Sequence, residues 1–75
     1  MPKIPRITGK QAVAAFCKAG FRLARIKGSH HILKHETIPY RLSVPVHRGQ
    51  TVGTGLLKDQ IEKAGLTVEQ FIELL

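Results

Sequence analysis

Seventy-five residues are expected to make one domain and leave no room among them for a second core, so any activity they carry is expected on one small shared surface. Twelve Lys and Arg against five Asp and Glu give a formal net charge of +7, an excess that favours a polyanionic partner. A single cysteine excludes an internal disulfide, and no apolar run is long enough for a signal peptide or a membrane span, so a reducing cytoplasm is the expected compartment and no membrane is expected as partner.

The chain 1–75 reads as one domain. Residues 1–7, with Pro2, Lys3, Pro5 and Arg6, read as a basic extended arm. Thr8-Gly9-Lys10-Gln11 fits a capping box, in which hydroxyl and amide side chains each satisfy an orphan backbone N–H. It predicts a helix from about Gly9 to Ala19, with Ala12, Val13, Phe16 and Cys17 as its apolar side and Gly20 closing it. Cys17 reads there as a small core residue. From Phe21 the period drops to two, and Gly28-Ser29 offers the positive-φ first position of a type II′ hairpin. A two-residue turn pairs Lys27 with His30, Ile26 with His31, Arg25 with Ile32 and Ala24 with Leu33. Paired residues share a face. Leu23, Arg25, Lys27, His30, Ile32 and Lys34 therefore lie on one face, with Ala24, Ile26, His31 and Leu33 on the other, the better core face.

After a turn at Glu36–Pro39, Tyr40–His47 alternates again, with Leu42, Val44 and Val46 inward and Arg41, Ser43, Pro45 and His47 outward. Pro45 lacks a donor, which places this strand at a sheet edge and makes the His30 strand central. Residues 48–53 read as a loop. A helix is expected from about Thr54 to Ala64, with Leu56, Leu57, Gln60, Ile61 and Ala64 on one side, stopped by Gly65. Gly53-Thr54-Gly55 leaves amide donors that can hold a phosphate. Thr67-Val68-Glu69-Gln70 is a second capping box and opens a C-terminal helical extension, residues 67–75. The order α-β-β-β-α(-α) is that of an α+β two-layer domain, a three-stranded antiparallel sheet with helices on one face, as in double-stranded-RNA-binding domains. Its open face is the basic one.

At Gly28-Ser29-His30-His31-Ile32-Leu33, then Val44-Pro45-Val46-His47, then Gly53-Thr54-Gly55-Leu56, the sequence resembles the HicA (YcfA-like) family of toxin mRNA interferases, over roughly Lys10 to Leu66. The resemblance implies a fold like a double-stranded-RNA-binding domain, cleavage of mRNA, neutralisation by a HicB-type antitoxin protein, and a catalytic histidine at His30. Some family members carry a different residue at the place of His30 and a histidine at that of His31.

A metal-independent ribonuclease needs the 2′-OH deprotonated, the phosphorane charge stabilised and the 5′-oxygen protonated. His30, outward on a central strand among cations, is the expected general base. His47 is the expected acid. His31 points inward, as a buried, hydrogen-bonded histidine, and a one-residue register slip exchanges the two roles. His35 reads as surface. RNA contact is assigned to Arg25, Lys27, Lys34 and Arg41, and to the turn residues Gly28 and Ser29. No metal site and no small-molecule cofactor are expected, since His31 and His35 lie on a strand without cysteines nearby. With Tyr40 and three Phe expected to be buried, base reading by aromatic stacking has little support. Two alternatives stand beside the endoribonuclease: a non-catalytic RNA-binding module on the same face, and a protein-interaction domain for an acidic partner.

Overall fold

Side-chain chemistry sets the helix ends in the computed structural model, which describes residues 3–75. Thr8 Oγ1 accepts the Gln11 N–H at 3.2 Å while Gln11 Oε1 accepts the Thr8 N–H at 2.9 Å. This capping box opens α1, Gly9–Lys18. Thr67 and Gln70 repeat the exchange at 3.1 and 2.9 Å and open α3, Val68–Glu73. Between them lie β1 (Arg22–Lys27), β2 (His30–Lys34), β3 (Leu42–Pro45) and α2 (Thr54–Lys63). Of the basic arm, Met1 and Pro2 lie outside the described residues. Lys3–Arg6 have no regular structure, and Ile7 is buried in the core, its carbonyl accepting the Val52 N–H at 2.8 Å.

The strands form one antiparallel sheet in the order β1-β2-β3, with helices packed on one side. Gly28 has φ 61°, and no described non-glycine residue has positive φ, so the Gly28-Ser29 turn is type II′ rather than I′. From the turn outward, Lys27 pairs with His30, Ile26 with His31 and Arg25 with Ile32, as expected. The ladder then shifts. Leu23, not Ala24, pairs with Leu33, and Arg22 pairs with Lys34, which leaves Ala24 as the extra residue of a β-bulge. Because the side-chain period is two, the bulge exchanges the faces of the two residues before it. Leu23 turns to the helix side opposite Leu33, and Arg22 joins Lys34 on the outer face.

β3 is shorter than the alternation predicts. It holds Leu42–Pro45, so Tyr40 and Arg41 belong to the preceding loop and His47 follows the strand's end. Pro45 lies in an edge strand, as its missing donor requires.

Phe16, Leu33, Leu42, Val44, Leu57, Ile61 and Phe71 are fully buried. Phe16 is the hub, with its ring centroid 4.9 Å from Phe71 and 6.1 Å from Phe21. The C-terminal extension thus closes the core through Phe71. Two expectations for the core are corrected. Cys17 is exposed on α1, and Ala15 takes the buried place. A Cβ on Gly9 would strike the Pro45 carbonyl and lie 2.8 Å from Val46 Cα, so α1 sits against β3 at that residue and its phase follows Gly9, Ala12 and Phe16. Ala24 and Ile26 are also exposed, Ile26 to 55%. Both α1 and α2 bear on β3, and β1 is exposed along its length.

Candidate active site

His30 is the first residue of β2 and is exposed, flanked across the sheet by Lys27 on β1 and Pro45 on β3. Its Nδ1 lies 3.3 Å from Ser43 Oγ, which leaves Nε2 as the nitrogen open to a substrate. Ser43 is itself fixed from behind. Its N–H, which faces away from β2 at the free edge of the sheet, donates to Gln60 Oε1 of α2 at 2.9 Å. Gln60 is 5% exposed, and this bond explains a polar residue within an otherwise apolar helix side. Two residues along β3, Pro45 has no amide needing the same service. A buried glutamine therefore ties the helix layer to the strand that carries the hydroxyl beside His30.

His31 faces the helix side between Ile26 and Val44. It is half-buried, and its Nδ1 is buried without a hydrogen-bond partner among the described residues. That corrects the expected hydrogen-bonded core histidine. His35 is a further correction. Instead of lying on the surface it is half-buried, edge-on to Phe21 with centroids 5.0 Å apart, and its Nδ1 accepts the Thr37 N–H at 3.1 Å. His47 is exposed past the end of β3, where its carbonyl accepts the Gln50 N–H at 3.1 Å and its side lines a shallow hollow with Thr8, Lys10 and Arg48. No hydrogen bond joins it to His30 among the described residues. Thr51 bridges to Thr8, so α2, whose Gly53 cap has no side-chain hydrogen bond, begins beside the N-terminal segment.

The outer face carries Arg25 and Lys27 on the strand beside His30 and Lys34 at the far end of β2, with the turn residues Gly28 and Ser29 at its near end and Arg41 in the loop beside Leu42. To these the bulge adds Arg22, which regular alternation places on the opposite face. The sequence signal for it is the small, poorly strand-forming Ala24. Among the described residues one ion pair forms, Lys63 with Asp59 at 3.2 Å on α2. The cations of the outer face thus stand without carboxylate partners. No three His, Cys, Asp or Glu among the described residues come together as a metal-ligand set, and no described helix is long and apolar enough to cross a membrane.

Residues 9–66 match the family described as the HicA toxin of bacterial toxin-antitoxin systems. The chain belongs to the HicA toxin family. The match opens at the first residue of α1 and closes just after α2, so it contains the sheet, His30, Ser43 and Gln60 but not α3. Membership gives the chain the role of a toxin, and the family as a whole implies an antitoxin partner and an RNA target. No curated protein is similar enough to the chain to count as a relative.

Proposed function

We propose that this HicA toxin is an endoribonuclease that cuts mRNA in the cytoplasm on the outer face of its sheet and is neutralised by a HicB-type antitoxin. One observation carries the reading: an exposed imidazole, oriented by Ser43, stands on a face whose cations have no carboxylate partners. His30 Nε2 takes the proton of a ribose 2′-OH. The 2′-oxygen attacks the adjacent phosphorus, the bond from phosphorus to the 5′-oxygen breaks, and the 5′-oxygen leaves with a proton supplied by His47. The products are a 2′,3′-cyclic phosphate and a 5′-OH end. Lys27 and Arg25, on the strand beside His30, offset the charge that develops on the phosphoryl oxygens. Ser43 holds the ring so that little orientational freedom is lost at the moment of proton transfer.

Incubation of the purified protein with single-stranded RNA in EDTA tests the reading. RNA is expected to be cut and DNA of the same sequence to stay intact. Binding without cutting overturns the catalytic reading and leaves an RNA-binding module.

The electrostatic part has its own test. Each phosphate neutralised on a single strand contributes a slope of about −0.7 to the dependence of log affinity on log salt. Four to five contacts, from Arg22, Arg25, Lys27, Lys34 and Arg41, predict a total slope of roughly −3 for a non-cleavable oligonucleotide. Arg22→Ala is expected to flatten it by about 0.7, as much as Arg25→Ala does. An unchanged slope in Arg22→Ala contradicts the placement of Arg22 on the binding face.

A further inference from the structure

The chain has one tyrosine, three phenylalanines and no tryptophan. Phe16, Phe21 and Phe71 are buried, whereas Tyr40 is 58% exposed. Among the described residues Tyr40 is therefore the one phenyl ring presented to solvent. It stands in a hollow of about 370 Å³ formed by the β2–β3 loop, lined also by Lys34, Glu36 and Arg41. The loop is held in shape locally. His35 is wedged against Phe21 and accepts the Thr37 N–H, and Pro39 fixes the backbone just before Tyr40. A ring on such a loop loses little conformational freedom when a flat ligand stacks on it.

The position matters as much as the ring. β2 begins at His30 and ends at Lys34, so the hollow opens at the far end of the same strand, four residues or about 13 Å from the candidate base. A single strand of RNA that presents its reacting phosphate to His30 and follows the cations of the outer face runs into the hollow a few nucleotides away. Lys34 and Arg41 share the hollow with the ring and suit the phosphates next to one base. Glu36 is the only carboxylate in the lining. It repels a phosphate from the hollow and offers an acceptor to the amino edge of a base.

We propose that Tyr40 is the stacking platform for one nucleobase of the bound RNA strand, with Lys34 and Arg41 holding the phosphates beside it. The inference rests on the RNA reading above and adds a subsite away from the reacting bond. It also goes beyond the expectation that base reading by aromatic stacking has little support, because a single exposed ring is enough when cations line the same hollow.

Tyr40 is the only tyrosine and tryptophan is absent, so the intrinsic emission of the protein reports on this residue almost alone. The full-length protein is titrated with a 2′-O-methyl oligoribonucleotide, which binds but cannot be cut. Emission is expected to fall with saturation. By anisotropy of the labelled oligonucleotide, Tyr40→Ala is expected to bind about 5–150-fold more weakly and Tyr40→Phe about as well as wild type. An oligonucleotide with abasic sites throughout is expected to bind wild type and Tyr40→Ala alike. Equal binding of the normal oligonucleotide by wild type and Tyr40→Ala, with emission unchanged, overturns the stacking subsite and leaves the nuclease reading standing. Absence of binding to wild type overturns both.

Discussion

His30→Ala is expected to slow RNA cleavage by about 10²–10⁴-fold, the usual contribution of a positioned general base, while leaving the fold intact. His30 is exposed and contributes nothing to the buried core, so loss of activity with an unchanged unfolding curve separates chemistry from stability. Ser43→Ala removes one orienting hydrogen bond worth about 1–1.5 kcal/mol and is expected to slow the reaction about tenfold. His31→Leu supplies the opposite contrast. Its side chain faces Ile26 and Val44, and Nδ1 lacks a partner, so an apolar replacement removes an unsatisfied group that costs about 1–3 kcal/mol. Cleavage is expected to survive and the urea midpoint to rise. An inactive His31→Leu beside an active His30→Ala reverses the roles of the two histidines.

Phe71→Ala is expected to destabilise the domain by about 3–5 kcal/mol, the range for removing a fully buried aromatic ring. A domain of this size holds on the order of 4–11 kcal/mol in all, so the variant is expected to be partly unfolded at 37 °C. Phe71 is 0% exposed and lies 4.9 Å from the Phe16 ring. The family match ends at residue 66, yet this chain completes its core with α3, and removal of residues 67–75 exposes Phe16. Urea denaturation followed by circular dichroism measures the loss. A truncated protein with the midpoint of the full chain contradicts the role given to α3.

What the sequence made legible follows from how local each determinant is. Both capping boxes formed as predicted because a Thr and a Gln three residues apart need nothing beyond their own backbone. The Gly28-Ser29 turn set the hairpin register as far as Arg25. Beyond Arg25, alternation fails, since a bulge inserts one residue at Ala24, whose weak strand preference is its one local signal, and Arg22 and Leu23 exchange faces. The apolar side of α1 was misplaced for a tertiary reason: the close approach of Gly9 to the backbone at Pro45 and Val46 sets the helix phase and leaves Cys17 outside. Gln60 was visible as a polar residue in an apolar stripe. Its partner, the edge amide of Ser43, was not, because the pairing spans seventeen residues and depends on which side of β3 faces outward. Tyr40 lies in the loop because β3 begins only at Leu42, the first fully buried residue after Leu33.

The outer face is expected to perform metal-independent transesterification with His30 as base. The most direct measurement is the identity of the new ends when wild type and His30→Ala cut a defined single-stranded RNA in EDTA. Wild type is expected to give 2′,3′-cyclic phosphate and 5′-OH ends, with His30→Ala giving almost none. Fragments ending in 5′-phosphate, or equal amounts of cyclic phosphate from both proteins, contradict it.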